Sequence, residues 1–387
     1  MVLFARGFRP FFLLAGVQAV MFMLLWIAVL NGWGPTHAWA ELTVWHAHEM
    51  IFGFCAATIA GFLLTSVPVW TGTVAVTGPR LGALVVLWLA GRAATLVADR
   101  APISSAIVDF TFLPALAAAI GPAIYRAGAR RNFGFPLVLL ALACANAMVH
   151  VEALGLGAGT AAIGLRAGVD LVALLVVVIG GRIIPSFTTN ALRRAGVGYD
   201  AQAPVWAEHA AVPGFLLFAA ADVVLPASPW SGVAAALSAT VLAARMAGWR
   251  SLRVLRDPLL GSLHLGHAWI VVGLASLAAS DLGVGWSRSL AVHALTAGGF
   301  GTMILAVMTR VALGHTGRPL VAPPSARVAY VLVTGAAVLR TAGVAALPTA
   351  NFLALTVSGA FWSGAFAVFL AGYAHVLVRP RVDGKPG

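Results

Sequence analysis

Twelve apolar stretches, each long enough to cross a bilayer, divide this chain, and that count limits its fold more than any other feature. A membrane helix needs about 20 mostly apolar residues. Such windows lie near 11–30, 46–67, 81–98, 103–125, 134–154, 164–184, 206–224, 230–249, 263–283, 290–312, 327–346 and 352–377. Inside lipid the backbone must satisfy its own hydrogen bonds, so stretches of this kind are helical. The links between them are too short for a soluble domain. The expected fold is therefore all-α: a polytopic integral membrane helix bundle of about 12 transmembrane helices, one transmembrane domain over 1–387. Only 9% of the residues are charged, against about 25% in soluble proteins. The first apolar run has no cleavage-site pattern and is expected to stay as a helix.

The formal charge of +12 raises nucleic acid as a partner. The placement of that charge excludes it. With the N-terminus inside, all but Arg92, Arg100, Arg166, Arg288 and Arg340 of the 24 basic residues fall on one face. That is the bias expected of cytoplasmic loops, and a missed or extra helix would scramble it. Both termini are expected in the cytoplasm, with the lipid bilayer as the main partner. Trp33, Trp39, Trp45, Trp70, Trp206, Trp230, Trp249 and Trp286 fall at predicted helix ends, where amphipathic rings favour the interface. Cys55 and Cys144 form no C-x-x-C pair and read as two free core thiols in apolar segments.

Against this background the ionisable residues stand out, because such groups at membrane depth are rare and usually functional. Trp45-His46-Ala47-His48-Glu49-Met50 opens the second window. Histidine is the commonest metal ligand. By topology, His46, His48, His150 and His293 form an outer layer. His264, His267, His315 and His375 form an inner one, with His209 also inside and His37 in an outer loop. Residues three or four apart share a helix face, so His264 and His267 can bind one metal together, whereas His46 and His48 cannot share a face. The second and tenth windows each carry small residues below an outer histidine: Gly53, Ala56, Ala57, Ala60 and Gly61 in one, Ala297, Gly298, Gly299 and Gly301 in the other. These allow either close helix packing or the approach of a planar cofactor. A haem held between His48 (or His46) and His293 suits the second case.

Arg92 and Asp109 lie at matching depths on neighbouring antiparallel helices and are expected to pair. Asp170 and Arg340 occupy similar depths, and Glu49 and Glu152 lie near the outer histidines. The charges read as structural ion pairs, or as arginines (Arg92, Arg340) for haem propionates and carboxylates that orient ligating histidines.

Four motifs carry a resemblance: Gly7-Phe8-Arg9-Pro10-Phe11-Phe12, the W-H-A-H-E-M-I-F-G-F run from Trp45, Gly181-Arg182-Ile183-Ile184-Pro185-Ser186-Phe187, and Leu313-Gly314-His315-Thr316-Gly317-Arg318. Together they resemble the NnrS family over nearly the whole chain. The resemblance implies a multi-pass bacterial inner-membrane protein that contains haem (haem b) and copper. It also implies a link to nitric oxide metabolism, denitrification and resistance to nitrosative stress. His46, His48, His150, His264, His293 and His315 match family positions, while His267 stands where a tyrosine is expected in many members. The histidine-pair signature of a haem–copper oxidase's copper centre is missing, so oxygen reduction is not expected.

Three functions follow. The first is a haem and copper protein with nitric oxide as ligand or substrate. It would use His46, His48 and His293 for haem, His150 at that site or a nearby copper, and His264 with His315 as an inner metal site. The second is a 12-span secondary transporter built on Asp109, Asp170, Arg92 and Arg340, with Pro114 as its main helix breaker. The third is a haem-based membrane electron carrier served by quinol or another redox partner.

Overall fold

A computed structural model describes residues 2–33, 40–198 and 200–385. Among these residues there is no strand. Twelve helices are long and apolar enough to cross a membrane. They are Phe8–Leu30, Leu42–Thr71, Gly78–Leu96, Pro102–Arg126, Arg130–Ala153, Thr160–Arg194, Val205–Val224, Pro229–Ala247, Pro258–Asp281, Arg288–His315, Pro324–Ala346 and Asn351–Val378. Each predicted window corresponds to one of them. The largest difference is the sixth helix, which runs ten residues past the window's end at 184, through Pro185, to Arg194. Proline removes one backbone donor but is tolerated in membrane helices, where neighbours satisfy the freed groups.

Local signals explain the ends. Proline stands in the first turn of the third, fourth, eighth, ninth and eleventh helices, where its missing N–H costs nothing. Ser228 and Ser231 form a reciprocal capping box at the eighth, and Asp257 caps the ninth by accepting from Leu259 N. Gly72, with φ of 67°, stops the second.

The chain packs as two compact units. The first holds Met1–Leu171, Val311–Pro319 and Leu370–Gly387, and the second holds Val172–Arg310 and Leu320–Phe369. In the first, the second helix packs on the first and fourth, the fourth on the third and fifth. Arg9, from the first motif, is fully buried there. Its Nη1 donates to the carbonyls of Leu377 and Arg379, both at 2.8 Å. In the second unit, the eighth helix packs on the seventh and ninth, and the ninth on the tenth.

Two helices are far more buried than the rest. Over their most apolar windows, the second is 83% buried and the tenth 78%, against 22–56% for the other ten. Both contain a π-helical segment. Glu49–Cys55 follows His48 directly, and Ala294–Phe300 follows His293 directly. A third π segment, Leu339–Gly343, holds Arg340. Such segments often occur at functional sites.

Two expectations from the apolar pattern need correction. Trp33, Trp206 and Trp230 are exposed, as interface residues should be, but Trp45 and Trp249 are buried. Trp249 is covered because its ring packs against His267, with centroids 4.6 Å apart. Cys55 is buried while Cys144 is exposed on the outside of its helix. His37 and Trp39 lie outside the described residues.

Candidate metal centre

The first unit gathers its ionisable residues into one buried cluster. His48 and Glu49 come from the second helix, Arg92 from the third, Asp109 from the fourth, and Asn146 and His150 from the fifth. All are buried. His48 Nε2 lies 2.8 Å from Asn146 Oδ1 and 3.1 Å from Asp109 Oδ2, and its Nδ1 lies 3.2 Å from Glu49 Oε1. Asp109 Oδ2 also accepts from Asn146 Nδ2 at 2.8 Å and from His150 Nε2 at 2.9 Å. Arg92 joins the carboxylates: Nη1 donates to Glu49 Oε2 at 2.8 Å, and Nη2 donates to Asp109 Oδ1. Gln18 Nε2 and Thr95 Oγ1 complete the shell of Glu49, at 2.9 and 3.1 Å. The expected Arg92–Asp109 pair is therefore present, and carboxylates do hold His48.

The local fold makes this possible. The π turn after His48 brings Glu49 and Gly53 towards Arg92. A Cβ on Gly53 would sit 2.7 Å from Gln18 Nε2 and 3.1 Å from Arg92 Nη1, so only glycine leaves room for the guanidinium. Trp88 Nε1 donates to the Gly53 carbonyl at 3.2 Å, a carbonyl in the wide turn.

The proton count is informative. Two ionised carboxylates against one guanidinium leave one negative charge. Buried charge must be balanced. Both ring nitrogens of His48 face acceptors, and only the doubly protonated ring can donate to both. A metal ion would balance the charge as well. His48, His150 and Asp109 each offer a ligand atom, and the three atoms lie within 4.8 Å of one another. Two imidazoles and a carboxylate suit a first-row transition ion. Asn146 and Glu49 would then be the outer groups that orient the ligands.

The other proposed ligands lie elsewhere. His46 is half-buried and stacks on Trp26, with centroids 4.4 Å apart and rings 21° from parallel. His293 belongs to the second unit. Its Nδ1 donates to the Ser289 carbonyl at 2.7 Å, which leaves the lone pair on Nε2 in the neutral ring. A ligating imidazole is commonly fixed in this way. Arg340 Nη2 donates to Ser289 Oγ at 3.2 Å, one turn before His293. The small residues of the tenth helix are met by side chains of the same unit: a Cβ on Gly298 would lie 2.5 Å from Trp269. Helix packing therefore accounts for that stripe.

The inner layer divides between the units. His264 is buried in the second, its Nε2 2.9 Å from Thr188 Oγ1 and its Nδ1 2.9 Å from Ser251 Oγ. His267 is fully buried nearby and neither ring nitrogen has a hydrogen-bond partner among the described residues. His315 lies in the first unit against Phe8, with ring centroids 5.7 Å apart. His209 and His375 are exposed.

Asn146 is the participant that the sequence reading passed over. Its signal was available: an amide four residues before His150 shares its helix face. Gln18, a lone amide in the first helix, is a second such case.

No curated protein matches the chain. The NnrS protein family matches residues 2–381, nearly the whole sequence. The chain therefore belongs to the NnrS family, as a membrane protein of twelve helical spans.

Proposed function

We propose that this protein is a haem- and copper-containing protein of the bacterial cytoplasmic membrane that takes part in nitric oxide metabolism and in resistance to nitrosative stress, with both termini in the cytoplasm. The convergence of His48, His150 and Asp109 carries this reading, as a buried donor set in which two carboxylates face a single guanidinium. In this reading His48, His150 and Asp109 would hold copper, and His48 would give up a ring proton to do so. Asn146 Oδ1 and Asp109 Oδ2 accept from His48 Nε2 in the metal-free arrangement.

His293 would ligate haem b, its ring being oriented by the hydrogen bond from Nδ1 to the Ser289 carbonyl. Arg340, beside it on Ser289, would pair with a haem propionate. When bound, haem supplies an iron that takes up diatomic gases, and copper a one-electron centre. A membrane quinol is the proposed source of electrons. The transporter reading is weaker, since Arg92 and Asp109 neutralise each other.

The test is an absorption spectrum of the detergent-purified full chain, oxidised and reduced, with metal analysis of the same sample and nitric oxide added to the reduced form. The expected result is haem and copper, with a Soret band that shifts on adding nitric oxide. His293→Ala should lose haem and Asp109→Asn should lose copper, each with the fold retained. A haem band that ignores nitric oxide points to electron transfer alone. Protein that takes up neither group when both are supplied ends this reading.

A further inference from the structure

The second unit contains a buried imidazole that the reading above does not use. His267 is fully buried, and both its nitrogens lack a hydrogen-bond partner among the described residues. A buried polar group in that condition is costly unless something binds it. Its neighbour His264, one turn away, is different, because hydroxyls of Thr188 and Ser251 occupy both its nitrogens. The expected His264–His267 chelate is therefore not what the side chains prepare.

A second soft donor stands beside His267. The point where a Gly180 Cβ would lie is 3.6 Å from His267 Nδ1 and 3.7 Å from Met303 Cε. The imidazole and the end of the Met303 side chain thus both border the same bare stretch of the sixth helix, with the Ile184 methyl beside them. Met303 is buried, at 4% exposure. The Trp249 ring covers His267 from another side, 4.6 Å between centroids.

The charges nearby select the ion. The groups that act electrostatically on His267 are Arg245 and His264. Arg245 is already neutralised by Glu208, with Nη2 donating to Oε1 at 2.6 Å and Nε to Oε2 at 2.7 Å. No carboxylate is among these groups to balance a divalent ion. Imidazole with thioether, away from anionic oxygen, favours a soft ion of low charge.

We propose that His267 and Met303 form a binding site for monovalent copper inside the second unit. The choice of metal rests on the reading of the protein as a copper protein; the site itself rests on the two side chains.

The experiment uses full-length protein in detergent, reduced and free of oxygen, loaded with Cu(I). Retention is measured against a chromogenic Cu(I) chelator, and the bound ion's neighbours are read by X-ray absorption. The wild type should hold Cu(I) with a sulfur and a nitrogen neighbour. Met303→Leu keeps volume and apolarity, so its fold should survive. It should lose the sulfur signal and weaken retention by roughly tenfold or more, the scale seen when a metal site loses supporting groups. His267→Tyr should lose the nitrogen neighbour and weaken retention to a similar degree. Asp109→Asn should leave this signal intact. Unchanged sulfur signal and retention in Met303→Leu would overturn the proposal, even if Asp109→Asn still removed copper from the first unit. Copper sensitive to Met303→Leu but not to Asp109→Asn would uphold it while removing copper from the His48 cluster.

Discussion

Each unit contains one arginine that bridges two carboxylates. In the first, Arg92 joins Glu49 and Asp109. In the second, Arg288 joins Asp222 and Asp281, and the Ser231 hydroxyl donates to Asp281 at 2.6 Å. The charge arithmetic is identical, but the settings differ. Asp222, Asp281 and Arg288 sit at the ends of the seventh, ninth and tenth helices, and the Arg288 side chain is 25% exposed. That group is a latch between helix ends. The Arg92 group lies within its spans, with the arginine side chain only 8% exposed, and two imidazoles and an amide join it. An ion pair becomes a candidate binding site when ligand-type side chains share its surplus charge away from water.

The contrast can be broken most directly at the arginines. Arg92→Ala leaves two like charges buried and should cost about 3–5 kcal/mol, the scale for breaking a buried pair. Arg288→Ala should cost about 1–2 kcal/mol, because water can follow the vacated side chain to the carboxylates. Thermal unfolding in detergent compares them, and equal losses would mean that burial does not separate the two groups. Gly53→Ala comes next. The added methyl meets Gln18 and Arg92, an overpacking that should cost about 1–3 kcal/mol and lower copper content. A glycine-to-alanine change with normal copper would show that the π turn tolerates displacement of Arg92.

The smallest effect belongs to the third arrangement, an ion pair in the C-terminal tail beyond the last span. Arg381 binds Asp383 and also donates to the His315 carbonyl at 2.8 Å. The guanidinium holds the Asp383 carboxyl down at about 2. A depressed carboxylate stabilises above its unfolded value of about 3.9, and that contribution is lost as pH falls through about 2. Asp383→Asn should therefore lose that small contribution at neutral pH while leaving metal content unchanged, and faster limited proteolysis at the C-terminus should be its main readout. A loss of copper in that variant would tie the tail to the buried cluster.

Much of the fold was legible because hydropathy is a property of composition. All twelve windows correspond to helices. Pro185 read as a boundary because sequence cannot show that a neighbouring helix supports the chain beyond it. The Arg92–Asp109 pair was legible from depth on adjacent helices. Asn146 was passed over because a neutral amide adds little to any charge or ligand count, although its spacing from His150 was visible. The π segments had no signal in hydropathy, since they differ from α-helix only in which carbonyl each N–H finds. The layer argument grouped histidines by height alone. Height does not say to which unit a histidine belongs: His264 falls in the second and His315 in the first.

The wide turn after His48 also has a consequence for rotation. An α-helix advances each residue by about 100° around its axis, and a π segment absorbs roughly one extra residue per turn. Removing one residue from 49–55 would let the helix close into regular winding with both halves in place. Were the segment to rewind as α-helix with every residue kept, everything on one side of it would swing by about 100° relative to the other. His48 would leave the Asp109 carboxylate while Thr65 and the lower half of the span kept their seats, or the reverse. The segment thus works as a phase shifter. It lets one half of the helix follow the packing of its neighbours and the other half follow the chemistry of the cluster.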